Sequence, residues 1–205
     1  MNLSRSDKAG STRDRILQVA GDEMNRVGFR AMGLNDILHK LRMSKGALYH
    51  HFKNKLELGY AVLDELYAKR FLKNWESPLD SDDPLQATID YLHAMSEQKW
   101  AAEALRCGCP VTNLATEMSP IDEGFRLRVE GVFSHWKKRL TSALKRAQKQ
   151  GTMRRDVSAE DTAVFVIAAI EGAVILAKNA QDVSIFAQAT KTVADYLVTL
   201  HLVAD

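Results

Sequence analysis

The 205 residues are 46% hydrophobic and 26% charged, enough apolar material for one soluble core or two modest ones, which excludes a disordered chain. The formal charge of +2 hides an asymmetry: residues 1–57 hold eleven Lys and Arg against six Asp and Glu, and residues 58–205 hold 17 against 20. The positive field gathers at the amino end, where a polyanion or an acidic partner would be met.

Nearly every segment repeats its apolar residues with a helical period and none sustains alternation of apolar and polar residues, so the fold class is predicted to be all-α with about nine helices. The first helix starts at Ser11 or Thr12, buries Ile16, Ala20 and Val27 on one stripe, and stops at Gly28. A short second helix carries Leu34, Ile37, Leu38 and Leu41, with Gly33 as its cap residue and Asp36 in the first turn, where a carboxylate suits the helix dipole. Ser44 caps a third helix running to about Lys53, and Asn54 leads into a fourth, about Lys55 to Trp75. The stretch ESPLDSDDP, Glu76 to Pro84, reads as the clearest linker. Beyond it helices are expected at about 85–106, 111–118, 123–150, 158–179 and 183–203, with no internal repeat.

Two short helices joined by a tight turn each bury one face, and the face left over on the second decides the chemistry. On the third helix Ala47, Leu48 and Phe52 are expected to point inward, toward Ile37, Leu41 and Ile16. Lys45, Gly46, Tyr49, His50 and Lys53 follow i, i+1, i+4, i+5 and i+8 on the opposite side, a surface shaped for phosphates. In a helix-turn-helix the second helix lies in the major groove, and Gly46 near its start would let the backbone approach the duplex while Lys45 reaches guanine acceptors or a phosphate. Tyr49 and His50 would position phosphates, Lys53 and Lys55 would add salt-sensitive charge, and Lys55 with the amides opening the fourth helix would form a second anion site. The plainer reading of the same spacing is a solvated charged face.

The stretch GFRAMGLNDIL…RMSKGALYHHFKNKLEL resembles the DNA-binding segment of the TetR/AcrR family of bacterial transcriptional regulators. Gly28, Phe29, Asp36, Ile37, Ser44, Lys45, Gly46, Tyr49, Phe52, Lys55 and Leu58 fall on the family pattern. The resemblance covers roughly the first 60 residues, and length and helical content agree beyond them. It departs where the family often has Thr or Ser in place of Gly33, and an Ala-Ala-Gly turn in place of Lys40, Leu41 and Arg42. Arg42 must then take the backbone conformation that glycine usually supplies, and it joins Ser44 as a possible phosphate contact.

The resemblance implies a helix-turn-helix DNA-binding domain over residues 1–57 and a ligand-binding and dimerisation domain over 58–205. The last two helices would pair with their copies, and a double-stranded, palindromic DNA operator would be the partner. The sequence agrees independently, since TAVFVIAAIEGAVILAKNA is apolar around most of its circumference, with Gly172, Ala168, Ala169 and Ala173 permitting close helix approach. Phe186, Ala189, Val193, Tyr196, Leu197 and Leu200 supply a second stripe. The run from Ala163 to Ala177 falls short of the roughly 20 residues that span a bilayer, so no membrane partner is expected.

LRCGCPVTNLATE, Leu105 to Glu117, resembles a segment of one branch of that family, where a Gly-Cys motif opens the sixth helix at the base of the ligand pocket. In some members of the branch the cysteine senses electrophiles or oxidants. Cys109 stands just before a helix start, where the dipole is expected to lower a thiol's pKa, although buried cysteines are usually inert packing groups. Tyr91, Met95, Trp100, Met118, Phe133, Trp136 and Phe165 are candidate lining for a small apolar or aromatic effector, or plain core.

Cys107 and Cys109 are too close for an unstrained disulfide, and no signal-peptide pattern precedes them, so a reducing cytoplasm is expected. Their two sulfurs, with no nearby histidine, do not make a metal site, and no cofactor is expected. The reading is a homodimeric repressor released from its operator by a small-molecule effector or by thiol modification. The alternatives are a helical thiol-dependent enzyme using Cys109, for which no base is apparent, and a protein-interaction module; neither would bind a specific DNA in the presence of competitor DNA.

Overall fold

The computed structural model describes residues 11–97 and 106–202. Among these are ten helices, and the only β-type pairing is an isolated bridge between Met153 and His201. They are α1 Thr12–Val27, α2 Leu34–Leu41, α3 Lys45–His51, and α4, which opens as Lys55–Ala61, passes through a π-helical turn at Val62–Tyr67 and closes as Ala68–Lys73. There follow α5 Glu76–Asp80, α6 Pro84–Glu97, α7 Pro110–Glu117, α8 Glu123–Gln150, α9 Ala159–Ala180 and α10 Val183–Val198. The chain forms two compact units, one of residues 1–70 and 113–129, the other of residues 71–112 and 130–205. The grouping cuts α4 between Arg70 and Phe71 and does not follow the 76–84 stretch expected to be the linker. Glu76–Asp80 in that stretch is itself helical, with Pro78 and Leu79 buried.

The first unit is built from short, well-capped helices. Ser11 accepts from Asp14 N while Asp14 accepts from Ser11 N, a reciprocal capping box, and Gly28 ends α1 at φ +88°. Ile16, Ala20, Ile37, Leu48, Phe52 and Leu58 are buried together in this unit. Val27 is only half-buried, so the α1 stripe turns away from the core at its last residue. Glu23 is buried on α1 and paired with Arg26 and with Lys40, which ties α2 to α1. Those hydrogen bonds, from Arg26 first and Lys40 second, hold the Glu23 carboxyl below its ordinary 4.5. A depressed carboxyl pKa stabilises the fold above the unfolded value and loses that contribution as pH falls through the folded one. Glu23→Gln should therefore lower the denaturation midpoint at pH 7, and the gap from the parent should close as pH drops below 4.5, read by urea titrations across that range.

In the second unit α10 packs against both α6 and α9, and Trp75, Leu92, Trp136, Leu140, Val166, Ile170, Phe186, Val193 and Leu197 form its core. At 22 residues α9 is long and apolar enough to cross a membrane by length and composition, more than the Ala163–Ala177 run suggested. Its inner face, including Ala163, Val166, Ile170 and Ala173, is buried. Its outer face leaves Val164, Phe165, Ile175 and Leu176 exposed, joined on α10 by Val183, Tyr196 and Val198. The second stripe is thus divided: Phe186, Val193, Leu197 and Leu200 are core, and Tyr196 faces out.

Candidate nucleic-acid interface and effector region

Seven residues long, α3 has two unequal sides. Leu48 and Phe52 are buried, while Lys45, Gly46, Tyr49, His50 and Lys53 are exposed, with the Lys45 ammonium 5.8 Å from the centre of the Tyr49 ring. Ala47, expected inward, is exposed: the Leu48 and Phe52 pair takes the whole inner face of so short a helix, and Ala47 lies a hundred degrees round from Leu48. A Cβ built on Gly46 would meet none of the described residues within 4 Å. No packing among the described residues therefore requires a glycine that costs a helix up to about 1 kcal/mol relative to alanine.

The Ser44 hydroxyl accepts from Ala47 N at 3.2 Å, and its own proton is left to donate outward. Arg42, exposed, takes φ 52° and ψ 46°, the left-handed conformation its position demands, with Met43 N donating to Leu38 O at 3.0 Å across the turn.

Lys55 differs from its expected role. Its ammonium donates to the Arg30 carbonyl at 3.0 Å and lies 5.0 Å over the Phe29 ring, and burial pulls its pKa down. The charge that was to serve as a second anion site is occupied in holding the 28–31 turn. The other side of that turn is held by Glu117, whose carboxylate accepts from Phe29 N at 2.9 Å and Arg30 N at 2.8 Å. Asn113, on the same helix as Glu117, donates to Asn25 at 3.0 Å. Asn113 and Glu117, both in the LRCGCPVTNLATE segment, thus brace the first unit.

The expected effector residues do not converge on one pocket. Trp136 is fully buried in the second unit, its ring 4.7 Å from Trp75 and 5.0 Å from Phe71, and its indole nitrogen has no hydrogen-bond partner among the described residues. Tyr91 stacks edge-on at 5.0 Å from Trp75, and burial raises its phenol pKa. Met95 is buried in the same core. Phe133, half-buried, lines a groove of about 280 Å³ with Glu130, Ser134, Lys137, Val164, Ile167 and Ala168. Phe165 is exposed and packs at 5.0 Å against Tyr196 on the outer face; it precedes the buried Val166 and is turned away from the core. Met118 is buried in the first unit, and Trp100 lies outside the described residues.

Cys109 reverses the electrostatic expectation. Burial, and then the nearby Glu171 carboxylate, push its thiol up to about 12, outweighing the amides at the start of α7. Glu171, half-buried in the middle of α9, accepts from the Thr112 hydroxyl, and burial raises its own pKa. In the sequence Glu171 is marked only as a charge interrupting an apolar run.

Residues 16–62 match the family described as bacterial regulatory proteins, tetR family, and residues 84–192 match the C-terminal domain described as transcriptional regulator LmrA/YxaF-like. The transcriptional regulator AcuR of Cereibacter sphaeroides is 28% identical over 165 residues, covering 80% of this chain and 74% of that one. The HTH-type transcriptional repressor DhaR of Mycobacterium sp. is 28% identical over 153 residues, 74% of each. A crystal structure of a TetR transcriptional regulator from Chloroflexus aurantiacus superposes with a TM-score of 0.80 at 26% identity, covering 94% of this chain and 97% of that one.

Proposed function

The chain belongs to the TetR family of bacterial regulatory proteins, and from that premise we propose that two copies, paired through the outer faces of α9 and α10, repress transcription by setting both α3 helices on a palindromic operator. Membership makes the chain a DNA-binding transcriptional regulator and not an enzyme. In the proposal residues 1–57 bind DNA in the cytoplasm and residues 58–205 bind the effector and the second copy. Repression is favoured by the name of the relative DhaR.

The observation that carries the DNA assignment is the bare side of α3. Lys45, Tyr49, His50 and Lys53 are exposed around a Gly46 with no neighbour of its own. Lys45 reads base edges; Arg42, Ser44, Tyr49, His50 and Lys53 hold phosphates. Release follows when a small apolar or aromatic effector, or modification of Cys109, favours a dimer state whose α3 helices no longer match grooves about 34 Å apart. A coupling of about 1–3 kcal/mol between effector and DNA is sufficient.

The test is binding to fragments selected from the parent genome, measured by fluorescence anisotropy across salt with and without competitor DNA. Tyr49→Ala should weaken all DNA sequences by similar factors. Lys45→Ala should lose about 1–3 kcal/mol of discrimination between operator and scrambled site; an unchanged ratio rules out base reading. Gly46→Ala is expected to part stability from function. It should raise fold stability by up to about 1 kcal/mol while weakening operator binding, and equal operator affinity in that variant removes the close-approach role.

A further inference from the structure

We propose that Glu117 and Lys55 are positioning residues for operator binding, clasping both backbone groups of Arg30 so that the helix-turn-helix of each copy is held at its base in one orientation. The proposal rests on the paired reading above, since only two linked copies need that orientation set in advance.

The chain leaves Arg30 to form α2 and α3 and returns at Lys55, 25 residues later, where α4 begins. At this crossing the Lys55 ammonium donates to the Arg30 carbonyl at 3.0 Å, and the Arg30 amide donates to one Glu117 oxygen at 2.8 Å. The Phe29 amide donates to the other oxygen of the same carboxylate at 2.9 Å. One carboxylate thus spans two successive amides, and bonds to an ionised acceptor are about twice as strong as neutral ones. Gly28 makes room for it: a Cβ there would sit 3.0 Å from both Glu117 oxygens.

The Phe29 side chain fixes the base from another direction. Its ring lies 4.8 Å from that of Phe125, under the Lys55 ammonium at 5.0 Å, and so close to α4 that a Cβ on Gly59 would come within 2.4 Å of it. The turn between α1 and α2 is therefore held on its amides, its carbonyl and its side chain at once.

From this base α3 is reached through helices of only eight and seven residues, so a small rotation at Arg30 is carried to the DNA-facing side. A single copy on a half-site absorbs such a rotation by turning as a body. Two linked copies on a palindrome must present both α3 helices in a fixed relation, and an orientation that is not set beforehand costs entropy on binding.

The experiment uses the full chain, the fluorescein-labelled operator duplex selected above, and the same duplex with one half-site scrambled, by anisotropy across salt. Glu117→Gln keeps one acceptor oxygen and turns an amide group toward the second backbone donor, and Lys55→Gln loosens the carbonyl side. The expected result in both variants is a preference for the full operator over the half-site that falls by at least about tenfold, with half-site affinity and its salt slope as in the parent. Half-site binding also counts the folded fraction, so a protein that merely unfolds loses both duplexes alike and leaves the ratio unchanged. An unchanged ratio in both variants overturns the proposal. A half-site salt slope shallower by about 0.9 in Lys55→Gln marks a lost phosphate contact and overturns the role given to Lys55. A parent without preference for the full operator overturns the paired reading and the proposal with it, whereas a parental preference that survives both substitutions sinks the proposal alone.

Discussion

Leu176→Glu is expected to split the pair of copies and to weaken operator binding by about 10²-fold or more, because two linked half-site contacts become two independent ones. Leu176 is 59% exposed, and with Val164, Phe165, Ile175, Tyr196 and Val198 it forms an apolar face that none of the described residues covers. A carboxylate there is harmless to a monomer, where surface substitutions stay within about 0.5 kcal/mol. In an interface it would be a buried unpaired charge, which costs several kcal/mol. Gly172 fits the same picture, since a Cβ there meets none of the described residues within 4 Å and a second helix can come close. Sedimentation velocity should report a monomer, and circular dichroism an unchanged helix content. A variant that stays dimeric with operator affinity intact places the interface elsewhere.

The second large effect is in the core of the second unit. Trp136→Ala should cost about 3–5 kcal/mol, the range for emptying the space of a large aromatic. Trp136 is fully buried and touches Trp75 and Phe71 through its ring. Trp136→Phe should cost distinctly less, because the polar atom lost with the pyrrole ring, Nε1, makes no hydrogen bond to the described residues and its burial already carries a desolvation penalty. Guanidinium titrations of the three proteins measure both numbers. A Phe variant as unstable as the Ala variant would mean that Nε1 has a partner after all, and equal denaturant slopes are needed for the comparison.

Much of the site on α3 was legible because its determinants are local. Ser44 caps the helix, Leu48 and Phe52 take the inside, and a fixed 3.6-residue period leaves Lys45, Tyr49 and Lys53 outside. Arg42 was legible through the resemblance, which puts a glycine in that turn, and Arg42 holds the position at φ 52°. Lys55 was not, because what it meets, the Arg30 carbonyl and the Phe29 ring, lies 25 residues back along the chain. Phe165 failed similarly, since α9 is apolar nearly all round and period alone does not say which apolar side is the outer one.

Caps, turns and periodicity act over three or four residues, so local sequence is enough to make the chain helical, to place most helix ends and to put a basic helix-turn-helix at the amino end. Long-range packing is what lets Glu117 brace a turn 87 and 88 residues away and brings Glu171 to Thr112 across 59 residues. The same packing turned Cys109 from an expected thiolate into a thiol that keeps its proton. Burial and long-range charge set those outcomes, and both depend on which distant segments the fold brings together.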